Sequence, residues 1–545
     1  MNKLVIFLSA LSFGFSNPYY DALMCSYLID RPKEAKEYCH RALEEFHSPE
    51  LYKDLIRILV KEKNYKEAEK VANEFLKHFP NEEDAYLYLY NIYKILGKDK
   101  EALKVIEEAY KSFPYDSRIL LFLIDEYLKG KDRKKAKKLL IDYIKLNPDT
   151  PLPYYLLGRI YLMEGNTLKG IEYFEKALEV QKNYTPAVIS LGKIYERKKK
   201  FKEAEELYRE ALKQNPKNRA ILEKLAKLYT ASGKLLEAKE IYEKLLKLSP
   251  DNLNYKLDYA LILLSTGGYK KAKEILENLY YTYPNNPNVV FSYGLALEAN
   301  GEFKEAAKVY ERLLNSFPNN PKVLERLAGV YIELGKLEEA RRLIEKGKLI
   351  SFDKKPFLLL EAEYYIKKKE YKKALEVLKE LEKDDPENPR VYFLEAITYD
   401  HLGDFKNAEN SLKKAIQKDP ENPDYYNYLG YSLLLWYGKE RVDEAEKLIK
   451  KALDKDPNNP AYLDSMGWVY YHKGNYEKAM FYLLKALRMV YDDPVVNEHV
   501  GDVLLKMGFK EEAKRYYEKA LELLEKGKQG ERGQKERLIR KLRGL

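Results

Sequence analysis

In residues 301–318, GEFKEAAKVYERLLNSFP, a glycine turn leads into a stretch whose apolar residues return every three or four positions, and a proline ends it. That period marks one face of an amphipathic helix, and the proline marks its stop. Nearly the same phrase begins again at Gly335 (GKLEEARRLIEKGK), Gly403 (GDFKNAENSLKKAIQKDP), Gly474 (GNYEKAMFYLLKAL) and Gly508 (GFKEEAKRYYEKAL). Taking the small residue of this helix as a marker gives Ala68, Ala102, Ala136, Gly170, Ala204, Ala238, Ala272, Ala306, Ala340, Ala374 and Ala408, each 34 residues from the last. Ala445, Ala479 and Ala513 continue the series after a three-residue insertion, and Ala35 precedes it by 33, which makes about fifteen units.

A second helix must lie against the first. Twelve residues before the marker, from the fifth unit on, stands another small residue: Gly158, Gly192, Ala226, Ala260, Gly294, Ala328, Ala362, Ala396, Gly467 and Gly501, with Gly430 fifteen before because of the insertion. Two small positions allow two backbones to approach closely while Tyr, Leu and Phe fill the flanks. Twelve residues after the marker comes Pro80, Pro114, Pro148, Pro216, Pro250, Pro284, Pro318, Pro386, Pro420 or Pro457, which cannot continue a helix. Each unit thus reads as helix, glycine turn, helix, proline turn. In period, small residues, aromatics and proline together it resembles the tetratricopeptide repeat over nearly the whole chain. Ile56, Tyr90 and Ile124 depart from the small position, and Lys182 and Phe352 replace the proline; altered helix angles are expected in those units.

The expected fold is all-α, a right-handed superhelical solenoid of about fifteen helix-turn-helix repeats over residues 17–526, starting near 16, 49, 83, 117, 151, 185, 219, 253, 287, 321, 355, 389, 423, 460 and 494. One helical hairpin cannot bury its apolar face, so stacked copies share a core and the first helices line an inner wall. The resemblance implies that this wall holds polypeptides. Its chemistry changes along the chain: Arg159, Lys193 and Lys227 make a basic stretch, and Leu257, Leu261, Phe291 and Leu295 an apolar one. The wall is expected to grip an extended or helical polypeptide by apolar anchors and an acidic segment or carboxylate; the competing reading is that the leucines are core and the cations merely solvated. The family's carboxylate clamp of Lys and Asn is not reproduced, Asn91 alone matching one place.

Residues 427–487, with the inserted turn, Trp436 and Trp468, resemble the C-terminal stretch of bacterial envelope repeat proteins that recruit carboxyl-terminal processing proteases. That likeness implies an envelope protease or outer-membrane assembly factor as partner, with Trp468, Tyr431 and Tyr471 either facing it or packed in the core. Residues 1–16 read as an export signal, Lys3 followed by an apolar run to Phe15, the alternative being an uncleaved anchor. The run is shorter than the roughly 20 residues a spanning helix needs. Export to a periplasmic or peripheral envelope location would make Cys25 and Cys39, the only two cysteines, a disulfide, against free thiols or a metal site of no common spacing.

Composition adds little chemistry. The net charge is +10, and seven Lys or Arg against two Glu from Gly527 onward give +5 of it. This basic tail, residues 527–545, is expected to cap the last repeat with a short helix; attraction to anionic lipid is the alternative. Five glutamines among 545 residues suit a heat-adapted source. No HExxH, GxxxxGK[ST], GxGxxG or GxSxG motif occurs, and carboxylates alternate with lysines on helix faces. The chain is therefore expected to be a non-enzymatic scaffold or adaptor without metal or cofactor. Two rivals remain: a cytoplasmic nucleic-acid-binding repeat protein, which needs one continuous basic track, and an enzyme with scattered groups, which needs shifted pKa values gathered in one cavity.

Overall fold

The computed structural model describes residues 17–528, 530, 531 and 533–545. The expected export signal, residues 1–16, lies outside them. Among the described residues thirty helices pair into fifteen repeats, from Pro18–Tyr27 with Pro32–Glu45 to Pro494–Lys506 with Lys510–Glu525, and a further helix, Gln534–Arg543, follows. No strand occurs among the described residues. The all-helical repeat fold read from the 34-residue period is the fold observed.

Within each repeat the two helices meet where the small residues predicted it. A Cβ added to Gly158 would stand 3.0 Å from the Gly170 carbonyl oxygen, and one on Gly430 would stand 3.0 Å from that of Ala445. A large side chain sixteen residues on lies across the same spot, and it explains why glycine is placed there. The Phe174 ring would come within 2.7 Å of a Gly158 Cβ, the Tyr310 ring within 2.4 Å of one on Gly294, and the Tyr517 ring within 2.6 Å of one on Gly501. In the second repeat the sizes reverse: Ile56 is the large residue, Ala72 stands sixteen further on, and both are buried. That departure from the small position is thus tolerated by redistributing volume, as core packing generally allows, whereas Tyr90 and Ile124 face the large Ile106 and Leu140 sixteen residues on.

Loop chemistry sets the ends of the helices. The turn between the two helices needs a left-handed residue, and it recurs with the repeat at Gly97, Gly165, Gly233, Gly267, Gly301, Gly335 and Gly403. Lys63, Lys131, Lys199 and Lys369 occupy the same place with φ near +60°; a side chain there costs about 1 kcal/mol relative to glycine. Between repeats, Asn286, Asn320, Asn388, Asn422 and Asn459 cap the next first helix by accepting from its backbone N–H groups, with proline at its first turn. The three inserted residues are absorbed by a longer first helix, Pro423–Tyr437, and a 3₁₀ turn, Gly438–Arg441.

The chain divides into two compact units, one ending at Tyr255 and one beginning at Lys256. In the first, a continuous core runs from Cys25 to Leu123. Its outermost repeat is closed by a disulfide between Cys25 and Cys39, whose Cα atoms are 4.9 Å apart, and by buried Asp21, which accepts from Arg41 at 2.9 Å. In the second unit the core continues as successive clusters between neighbouring repeats, such as that around Leu324, Ile344 and Phe357 and that around Leu433, Ile449 and Val469. In each unit, first helices of adjacent repeats touch, while second helices of adjacent repeats make no comparable approach. The first-helix side is therefore the tighter, inner side of each stack.

Two substitutions test this packing in a urea titration. Gly294→Ala drives a methyl into the Tyr310 ring and should lower stability by about 1–3 kcal/mol, whereas Lys199→Gly relieves the left-handed turn and should raise it by up to about 1 kcal/mol. An unchanged midpoint for both would contradict the repeat register.

Candidate functional site

Up to the insertion, the first helices present equivalent positions every 34 residues. In the first unit the relevant series is Arg159, Lys193 and Lys227, all exposed. The Arg159 guanidinium lies over the Tyr155 ring, 5.9 Å from its centroid. Lys193 and Lys227 take part in no ion pair among the described residues, so the row offers free positive charge.

In the second unit the expected apolar stretch divides. Leu257 is buried and belongs to the packed interior, the competing reading of it. Leu261, Phe291 and Leu295 are half-buried, and Phe291 tilts onto Tyr310 with ring centroids 5.8 Å apart. One helical residue is a turn of about 100°, so a wall position and a core position can be close in sequence.

Tyr431, Trp468 and Tyr471 lie on the first helices of repeats 13 and 14, and the chain's own C-terminal segment covers this region. The Trp468 indole is sandwiched between Tyr471, with centroids 4.4 Å apart and planes 2° from parallel, and His499, 4.1 Å away. Its Nε1 is enclosed and has no hydrogen-bond partner. The Tyr431 hydroxyl donates to Glu531, a hundred residues along the chain, and lies 3.4 Å from His499 Nε2. Burial, then Glu531, pushes the Tyr431 hydroxyl well above its ordinary pKa.

Around this aromatic group runs an ion-pair network that the sequence reading did not single out. Arg537 donates to both oxygens of Glu498, at 2.7 and 3.0 Å, and to Glu531 at 2.7 Å. Lys541 donates to Glu498 at 2.7 Å and to Asp502 at 2.5 and 2.6 Å. Gln534 donates to the Pro494 carbonyl, and Leu538 is fully buried. The tail helix therefore packs on the last repeat, with Leu538 against Ala513, Tyr517 and Ala520 of the second helix and its polar side chains reaching the first. Burial would raise the Glu498 pKa, but Arg537 and Lys541 hold it below the ordinary value. The one signal in the sequence was a match of spacing: Arg537 and Lys541 are four apart, as are Glu498 and Asp502.

His499 is the group in this region whose charge changes near neutrality. Its Nδ1 faces both oxygens of Asp464 at 3.0 Å. Burial alone would lower its pKa; Asp464, helped by Glu531 and Asp502, raises it instead to about 8. Shifted groups do gather here: Tyr431, Glu498 and His499 are each engaged by a polar partner within the fold, and Tyr471 and His472 by ring contacts. Among the described residues no group of His, Cys, Asp and Glu could hold a metal ion, and no helix is long and apolar enough to cross a membrane.

Comparison with known proteins agrees on the repeat. Residues 149–217, and 195–242 with 229–290, match two tetratricopeptide repeat models. Residues 283–537 match the model of the cilia and flagella-associated protein 70 C-terminal domain, and no protease-adaptor family is among these matches. Among solved structures, that of an APC/C hetero-tetramer, Cut9–Hcn1, is 16% identical, covers 84% of this chain and 98% of its own, with a TM-score of 0.39. A tetratricopeptide repeat protein from Parabacteroides merdae is 21% identical, covers 46% of this chain and 98% of its own, also with a TM-score of 0.39. No curated protein matches the chain.

Because the folded His499 pKa lies above the ordinary 6.5, its pairing adds stability that is complete below pH 6.5 and is lost as the pH rises through about 8. The loss should amount to about 2 kcal/mol. Urea midpoints at pH 6 and pH 9 should show it in the native chain and not in Asp464→Asn; equal slopes in both would exclude the pair as its source.

Proposed function

We propose that this chain, which carries tetratricopeptide repeats, is a protein-protein interaction scaffold of the cell envelope. Tetratricopeptide repeat proteins are generally non-catalytic and take protein partners. The observation that carries the reading is the first-helix face of each unit: it repeats one geometry at the 34-residue register, with free cations at Lys193 and Lys227 in the first unit and half-buried apolar groups at Leu261, Phe291 and Leu295 in the second. A regular surface with irregular chemistry suits recognition of a polypeptide along its length. The basic row does not extend into a continuous track: the same register carries Leu261 and Leu295 in the second unit, and many lysines elsewhere are paired with carboxylates of the same or the neighbouring repeat, for example Lys273 with Glu302 and Lys473 with Glu446. That favours a protein partner over a nucleic acid.

The envelope location rests on the apolar run of residues 4–15 and on the Cys25–Cys39 disulfide, a bond that persists in oxidising compartments. The likeness of residues 427–487 to envelope adaptors makes a carboxyl-terminal processing protease the partner to seek first. Crosslinking in envelope fractions, with the chain from Asn17 as bait and mass spectrometry as readout, should recover envelope proteins, and Leu261→Glu should reduce the yield. Recovery of cytoplasmic proteins or RNA alone would overturn the location, and recovery of nothing that Leu261→Glu weakens would overturn the wall as the contact surface.

A further inference from the structure

Rows of the first-helix wall can be aligned by the 34-residue register: Leu257 and Leu261, Phe291 and Leu295, Glu325 and Gly329, Leu359 and Glu363, Phe393 and Ile397. Apolar residues dominate on both sides, and the middle row breaks the pattern with a carboxylate and a residue without a side chain. At that break the second unit has a cavity of about 570 Å³, lined by Glu325, Gly329, Leu359, Leu360 and Glu363 among others.

Two independent features show that the cavity is more than an acidic surface. Gly329 has no packing reason to be glycine: a Cβ there would meet only a Leu360 methyl, at an ordinary 3.5 Å, and its backbone is in the helical region. The glycines at 158, 192, 294 and 501, in contrast, are demanded by rings lying against them. In a helix interior glycine is costly, and here what it leaves is open space. The second feature is the state of the charges. Glu298 is held by Arg326 at 2.7 and 3.1 Å, and Glu363 by Arg390 at 2.5 Å. Glu325 is half-buried and takes part in no hydrogen bond or ion pair among the described residues. Six carboxylates face three cations around the cavity, in a chain whose net charge is +10. Partial burial raises the Glu325 pKa even though Arg326, Arg390 and Lys322 are near enough to oppose the rise, as expected of a carboxylate that has lost water and has no cation in direct contact.

We infer that this notch takes the side chain of a lysine or arginine from a polypeptide segment whose flanking residues are apolar. The cation would complete Glu325, its alkyl stem would pass over Gly329 against Leu359 and Leu360, and the neighbours on either side would meet Leu295 and Phe291 or Phe393 and Ile397. Open space beside an unpaired carboxylate and an apolar floor fits such a side chain, which carries both characters. The inference rests on the scaffold reading and names the chemistry of one part of its partner.

The test uses the full chain and four sets of fluorescent decapeptides, leucine- and alanine-rich, whose central residue is Lys, Arg, Gln or Glu. The Lys and Arg sets should bind about tenfold more tightly than the Gln set at low salt, and the advantage should shrink at 0.5 M salt. Glu325→Gln should abolish the advantage. Gly329→Leu, which restores the residue found at 261 and 295, should weaken the Lys and Arg sets without lowering the melting temperature. Binding with no preference for the central cation, or a preference that survives Glu325→Gln, overturns the notch while leaving the scaffold standing. Failure of every set to bind overturns the notch, and the scaffold falls only if the envelope crosslinking is also empty.

Discussion

Everything in this molecule depends on how closely two helices approach within a repeat. A small residue on the first helix allows the carbonyl of the marker position to come near, and a tyrosine, phenylalanine or leucine sixteen residues on closes over the gap. Fix that contact and the hairpin has one geometry; repeat it and the hairpins stack with their first helices turned inward. The lysines held in the left-handed turns show how strict the demand is, since the backbone conformation persists even where the residue opposes it. The outward face is then free to carry charge pairs, and the inward face is free to vary.

That hierarchy explains what could be read from the sequence. Period, helix pairing, capping and turn positions are local, and each leaves residues of a given type at a fixed spacing. Ile56 and Ala72 show that even an apparent departure was an exchange of volumes within one contact. Of the residues expected on the inward face, Arg159, Lys193 and Lys227 stand exposed. Leu257 was harder, because on a helix a few positions separate the wall from the interior and both accept leucine. Glu325 and Gly329 were hidden by ordinariness. Taken singly, a glutamate and a glycine look like a solvated helix surface, and only alignment with Phe291 and Leu295 reveals that something is missing.

The C-terminal network could not be read because its partners are far apart in the chain. Tyr431 meets Glu531 across a hundred residues, and nothing in the period joins a repeat to a tail that does not repeat. What the tail covers is also instructive. Tyr431, Trp468 and Tyr471 have the composition of a recognition surface, yet this part of the wall is already occupied by Glu531, Arg537 and their neighbours. Aromatic richness alone therefore does not separate an open groove from one filled by the same chain.

The two outermost repeats are finished with unlike materials. A covalent bond, Cys25 to Cys39, ties the first, whereas the last is held by Arg537 and Lys541 against Glu498 and Asp502 around a buried leucine. Stacked repeats lose order from their ends, so the two margins answer to different surroundings: one to the redox poise around it, the other to ionic strength. A change in either would loosen the array from one side only, giving a structure of uniform units a direction in which it comes apart.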